Sequence, residues 1–585
     1  MFQPTELQTD VLVIGGGIGG CRAALRARQL GCDVVLTEKA VVGRAGPMTF
    51  VHSQFAPWRL TDEEKLLWMR EFVEASNYLA DQEWLDVLLT EAPARIDELV
   101  QLGVPYEREA DGRLKYTTSR GHKVGKTINV DGKIVMEILR RELRRQGVNL
   151  LEKVMMTDLL TSDGHYPTRG EVIGAVGFHI RTGEPLVIRA KAVILNTGPL
   201  YPKIHFSYID GVTGEGHRMA FHVGAELAGM EFTQYASWSY WEDKFSSPGQ
   251  AKIQGIGAKF INAYGEEFMW RYDPEWGNLS SLYRVARGII TEYMEGRGPC
   301  YVDFRHCRDE DIDELLRVVP TLALGLQEFG IDLKRQPLKT TPFMAIGMGT
   351  SGGVKVDTWS RTNIPGLYAV GTVTCLPVIM SGNSGSGHST FSNVGGYRAG
   401  EDAARRAQKM KRRPSPVKSQ LKELLADMLA PLNRRSHTRP ADVWAAVGDV
   451  TCESTFALFK NAERIDRTRE HVRVIRERLL PRVSAPDPHE LVKALEARSY
   501  VEMVDLCCLA YRTRQESRGE HFRVDFPYRD DVNWLKWVVL RKESEDGVSV
   551  STPDVPFERY PIRPDKRERI PSPFPIPAQN SEWRS

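Results

Sequence analysis

Hydrophobic and polar positions divide the chain into stretches of distinct period. Val11–Ile14 is an unbroken apolar run, as a parallel strand buried on both faces requires. Glycines follow at 15, 17 and 20, then an amphipathic stretch, then a second apolar run ending at Glu38. The pattern predicts strand, tight turn, helix and strand. Helical spacing returns over 62–102 and 133–146. From 149 to 195 the apolar residues alternate or run, with a turn at 181–184, which predicts a strand and a small β-meander ending in AVILNTG. Residues 237–345 break this pattern with aromatics, charged helices and irregular loops and read as an inserted cap. Long charged helices with apolar stripes over 417–518 read as a helical bundle. The predicted fold is α/β. A Rossmann-like dinucleotide-binding domain spans 1–236 and 346–410, with an α+β capping domain at 237–345. A C-terminal helical domain follows at 411–545, and an extended tail at 546–585 is expected to wrap over the surface.

The glycine turn carries the first chemistry. Gly15, Gly17 and Gly20 form G-x-G-x-x-G: a tight turn, bare backbone for a pyrophosphate, and close helix–strand packing. The helix N-terminus adds free N–H groups and a positive dipole end. Glu38, closing the second strand, is placed to accept hydrogen bonds from a ribose. Glycine clusters also make ordinary turns, but here both strands, the helix and the acid fall at the spacing a dinucleotide needs.

Bulk properties narrow the class. A chain of 585 residues predicts two to four domains. Lys+Arg 78 against Asp+Glu 76 leaves a formal charge of +2, so no field favours nucleic acid. MFQPTELQTD lacks a signal-peptide pattern, and no apolar stretch is long enough for a transmembrane segment. None of the eight cysteines forms C-x-x-C, and scattered thiols suit a reducing cytoplasm. Any electrons passed onward must reach another subunit, oxygen or a small molecule.

Several motifs together resemble the flavoprotein subunits of the succinate dehydrogenase/fumarate reductase superfamily, which includes L-aspartate oxidase and adenylylsulfate reductase alpha. They are the N-terminal fingerprint, ILNTG at 194–198, GEGHRMAFHVGAELAGMEFTQY at 214–235, YVDFRH at 301–306, TSGGVKVD at 350–357, IPGLYAVG at 364–371 and RQESRGEHFRVDFPYRDDVNWLK at 514–536. The resemblance implies that the dinucleotide is FAD. It implies cofactor contacts at Gly15, Gly17, Gly20, Glu38, Lys39, Arg44, Ala45, Gly46, Thr197, Gly198, Gly371, Thr372, Ser384 and Gly387. The motif at 514–536 is expected only to dock the helical domain on the flavin domain.

The departures from the family pattern constrain the chemistry. Gly46 stands where the succinate and fumarate enzymes tether flavin through a histidine, so FAD is expected to be non-covalent. Gln254 stands at the arginine proton donor, Ala236 at a dicarboxylate-binding histidine, and Asn383 at the arginine clamp. An acid expected after Gly371 is Thr372. The candidates around the flavin are Tyr235, Gln254, Lys259 and His388. His388 reads either as an accessible titratable group or as a histidine bonded to cofactor or backbone. The aromatic cluster Tyr235, Trp238, Tyr240 and Trp241 reads equally as core or as a substrate wall. Phe343 and Met344 are expected near the ring.

The leading expectation is a cytoplasmic FAD-dependent oxidoreductase exchanging a hydride between flavin N5 and an organic substrate, at a bond next to a carbonyl, with succinate and fumarate disfavoured. One alternative is an adenylylsulfate reductase-like subunit working with a separate ferredoxin-like iron–sulfur partner. Another is a non-catalytic flavoprotein-like subunit.

Overall fold

A computed structural model describes residues 3–44, 46–118, 123–203, 211–232, 238–241, 244–245, 247, 249–344, 351–381, 387–411, 414–451 and 458–576, with 118, 238 and 341–344 described by backbone alone. β1 (Thr5–Ile14) runs through the glycine turn into α1 (Ile18–Gln29) and returns as β2 (Val34–Glu38). Leu12 and Ile14 enter one apolar core while Val11 and Val13 enter another, which is why the run shows no alternation.

The stretch read as helical at 62–102 is two helices, α2 (Asp62–Ala75) and α3 (Gln82–Gln101). Thr61 and Glu64 close a capping box on α2, and Asp81 accepts from the Glu83 and Trp84 N–H groups at the start of α3. Asp131 caps α4 (Gly132–Arg145), and the chain continues through β3 (Asn149–Glu152), β4 (Val154–Thr161), β5 (Val172–His179) and β6 (Pro185–Leu195).

These strands make one sheet in the order β3–β2–β1–β6–β5–β4. The first four pair in parallel, and the meander β4–β5–β6 is antiparallel. The distal half of β6 also pairs in parallel with Leu367–Ala369, which returns to the sheet late in the chain. Gly15, Lys39, Asn196 and Val370 therefore follow strand ends on one edge of the sheet, where open α/β sheets bind ligands.

Between the two parts of that sheet lies a second one. β7 (Trp238–Tyr240), β8 (Lys259–Ile261), β9 (Cys300–Asp303) and β10 (Leu338–Met344) are all antiparallel, in the order β7–β10–β9–β8. They enclose a separate apolar core with the helix Leu282–Met294, containing Phe260, Met269, Ile289 and Val302. Tyr240 is fully buried in that core. After Leu367–Ala369 comes a long helix, Gly387–Lys409. Helices Lys418–Asn433, Pro440–Thr451, Ala462–Val474 and Pro488–Thr513 follow.

The tail does not lie loosely on the surface. Val548–Ser551 pairs with Val539–Lys542, and Arg569–Pro571 pairs with Tyr528–Asp530. Val555, Phe557, Tyr560, Ile562 and Phe574 are buried. Proline and charge dominate the tail's composition, and these five apolar side chains anchor it while Val548, Val550, Ile570 and Ile576 stay exposed.

Candidate functional site

The strand ends frame a cavity of ≈ 950 Å³, walled by Gly15, Gly17, Glu38, Met156, Thr197, Val212 and His388 among others. Gly15 has φ +107°, and a Cβ there would lie 2.2 Å from the Asn196 carbonyl oxygen. Only glycine lets β1 turn this close to the end of β6. Gly20 serves packing and does not line the cavity: a Cβ on it would meet the Gly15 oxygen at 2.1 Å. Helix α1 opens at Gly17 with no capping side chain and no acid in its first turn, so its N–H groups remain free for an anion.

Glu38 is the anchored acid of the cavity. One of its oxygens accepts the Gly16 N–H at 2.7 Å and the other the Ala40 N–H at 2.8 Å. Burial pushes its carboxyl above the usual range, and the two backbone donors oppose this. Asn196, which donates its side-chain amide to the Gly15 oxygen at 3.2 Å, and Thr197 follow β6 into the cavity. The Thr197 hydroxyl is buried with no hydrogen-bond partner among the described residues. A buried hydroxyl left unspent, a glycine cradle and an uncapped helix start together fit a dinucleotide.

Other predicted contacts take different places. Gly46, Gly198 and Thr372 line the cavity. Lys39 also reaches it, but its ammonium is held by Glu215 and by Glu496 at 2.5 Å, and Lys203 sits 2.5 Å from the other Glu496 oxygen. Arg44 is exposed and does not line the cavity. Gly371, at φ +71°, backs onto Asn196 Oδ1 and not onto the cavity, and Gly387 starts the helix that delivers His388, Ser389 and Ser392 to the wall. Ala45, Ser384, Tyr235, Ala236 and Asn383 lie outside the described residues, as do the side chains of Phe343 and Met344. Asn196, Glu215, Met155 and Met156 were not among the predicted contacts. The first two stand in motifs quoted above, whereas the methionines carried no sequence signal.

The titratable candidates are corrected most. His388 is half-buried on the cavity wall, and desolvation pushes its imidazole down to about 4, so it is neutral near pH 7, which favours the second of its two readings, a hydrogen-bonding histidine. Gln254 is fully buried in the cap and donates its amide to the Asn278 and Ser280 carbonyls, both at 2.8 Å. Lys259 sits on β8 with its ammonium 2.6 Å from Glu267. Neither lines the cavity. An amide with two carbonyls to satisfy, and a lysine with a carboxylate beside it, are drawn into the cap's own framework.

Among the described residues no helix is long and apolar enough to cross a membrane. Two family models match the chain: "FAD binding domain" over residues 10–389 and "Fumarate reductase flavoprotein C-term" over 449–569. A fumarate reductase (CoM/CoB) subunit from Methanothermobacter marburgensis is 29% identical over 560 residues, covering 92% of this chain and 98% of the relative. The L-aspartate oxidase of Streptomyces coelicolor is 27% identical over 571 residues, covering 94% of each. A solved E. coli quinol fumarate reductase flavoprotein superposes with a TM-score of 0.84 at 23% identity, covering 96% of this chain and 99% of that one, which shows the fold. The chain is thus an FAD-dependent oxidoreductase belonging to the succinate dehydrogenase/fumarate reductase flavoprotein superfamily, and the cavity's features fit that dinucleotide.

Proposed function

We propose that the chain oxidises or reduces a bond next to a carbonyl in an organic substrate larger and less charged than a C4 dicarboxylate. Gln254 carries this reading. At the position where the resemblance implies a proton-donating arginine, the side chain is an amide with its N–H groups given to two backbone carbonyls. An amide held this way neither delivers a proton nor pairs with a substrate carboxylate. Ala236 and Asn383 put no cation at the other two family positions.

Bound FAD supplies hydride exchange at its N5 position. The chain's own residues bind and orient. Gly15, Gly17 and the start of α1 hold the pyrophosphate, and Glu38, fixed by the Gly16 and Ala40 N–H groups, receives a ribose hydroxyl. His388 serves as a neutral hydrogen-bonding group at the cavity wall. Gly46 offers no nucleophile, so FAD is held without a covalent bond.

Relatives named as reductase subunits support a partner for this chain, and the lack of any C-x-x-C supports a separate, ferredoxin-like iron–sulfur carrier of its electrons. The test is anaerobic reduction of FAD-loaded protein followed by mixing with fumarate and a panel of larger enones and enoates. Flavin reoxidation by a member of the panel and not by fumarate is expected. Rapid reoxidation by fumarate overturns the reading.

A further inference from the structure

The motif at 514–536 does more than dock one domain on another. Arg518 donates to the Asn77 carbonyl at 2.6 Å, bracing the turn between α2 and α3. The Glu520 N–H bonds the Ser381 carbonyl at 3.2 Å, and a Cβ at Gly519 would fall 1.7 Å from that same oxygen. Ser381 itself has φ +70°. The chain leads from it to the helix whose His388, Ser389 and Ser392 line the FAD cavity.

Two carboxyl groups of this motif, both buried, have opposite surroundings. Glu516 takes Arg514 at 2.7 Å, Arg518 at 2.7 and 3.0 Å, and the Asp530 N–H at 2.8 Å. Glu520 has the Ser351 hydroxyl at 2.9 Å and forms no ion pair among the described residues. A carboxylate with two arginines and a backbone donor is stable in the interior. A fully buried carboxyl with one neutral partner keeps its proton.

Two basic groups stand near Glu520 without bonding it. Lys460 runs beside the motif, its backbone bonded to Phe522 and Val524 and its ammonium 4.6 Å from the Tyr511 ring. Arg287, from the cap helix, lies 4.5 Å from the Phe522 ring and 5.0 Å from the Phe574 ring. The neighbouring His521 is held neutral by burial and by Lys460, Arg523 and Arg514, and Glu231 is paired with Arg514. Burial pushes Glu520 up to about 8 against the pull of Ser351, Lys460 and Arg287, while burial beside Arg287 pushes Lys460 down to about 7.

We propose that Glu520 is the proton store of the active site, held as a neutral acid at the junction of cap, flavin domain and C-terminal motif. This rests on the oxidoreductase reading, which leaves a proton to be supplied once Gln254 is set aside. The proposed flavin chemistry accounts for the electron pair, and Glu520 accounts for the proton. Its O–H bond breaks, the proton is relayed through intervening groups to the substrate carbon or the oxygen conjugated with it, and the carboxylate left behind faces Lys460 and Arg287. Water restores the proton, and oxidation runs the same transfer in reverse.

The test needs no substrate. Infrared difference spectra of FAD-loaded protein, titrated from about pH 6 to about pH 10, are expected to show a protonated-carboxyl C=O band lost near pH 8. The band should be missing in Glu520→Gln, which retains shape and a partner for Ser351. The potential of bound FAD, followed by dithionite titration, should bend with pH at the same point in the wild type and not in the variant. Ser351→Ala leaves the acid with less support for its charge and should move both transitions to higher pH, which decides the matter if Glu520→Gln fails to fold. No such band, a band surviving in Glu520→Gln, or a Ser351→Ala protein with unmoved transitions overturns the proposal. Fumarate turnover would refute the substrate reading and leave these spectra unaffected.

Discussion

The FAD cavity and the cap treat their polar groups in opposite ways. Around the cavity, groups are left unspent: the Thr197 hydroxyl has no partner among the described residues, and α1 starts without a capping side chain. In the cap, polar groups close on one another. Glu292 is fully buried and bonds Arg271, Arg297, Asn262 and Tyr272, all within 2.6–2.9 Å, and Gln254 and Lys259 are tied off in the same manner. Unspent groups mark where a ligand goes, and spent ones mark framework. Polar residues of the same types thus serve binding in one region and stability in the other.

The comparison breaks first at Gly15. Gly15→Ala puts a side chain at φ +107° and against the Asn196 oxygen, and should weaken FAD binding by at least about 100-fold, ~2.7 kcal/mol. Fluorescence titration of the apoprotein reads this, and near-wild-type affinity would sink the cradle. Next comes Glu292→Gln, which leaves two part-exposed arginines facing a neutral amide and should cost about 2 kcal/mol in denaturant unfolding, with FAD affinity unchanged once folded. Its neighbours hold Glu292 down to about 2, below its unfolded value. The pair's stability is therefore full above the ordinary carboxylate range and drains away as pH falls toward 2. The variant should lose that acid-side slope.

An effect of the same order is expected at Gln254. Gln254→Leu strands two buried carbonyls and should cost about 1–3 kcal/mol, with no change in the FAD potential. A large shift in potential would return Gln254 to the active site. Smallest of all is Lys259→Ala, which removes an exposed pair with Glu267 and should leave melting temperature and flavin reduction within error.

The sequence made one half of this contrast easy to read. Gly15, Gly17 and Glu38 fall within a single βαβ unit, where spacing alone fixes geometry. The fate of Lys39 was hidden, because Glu215 and Glu496 reach it from 176 and 457 residues away. Arg44 matched a motif yet faces solvent, since matching fixes position along the chain and not side-chain direction. His388 was placed correctly on the chain, but its neutrality follows from burial, which no local pattern reveals. The tail lies over the surface as its composition suggests, but the few apolar residues that anchor it carried no periodic signal. The motif at 514–536 was read as a clamp, whereas its two glutamates differ only in partners drawn from elsewhere in the chain.

What the cavity holds, and whether a covalent bond holds it, can be read together. Acid precipitation of purified, FAD-reconstituted protein, with flavin assayed in supernatant and pellet, tests both at once. About one FAD per chain, all of it in the supernatant, is the predicted result. Flavin retained in the pellet would contradict the role given to Gly46, and a chain that takes up no flavin would contradict the site itself.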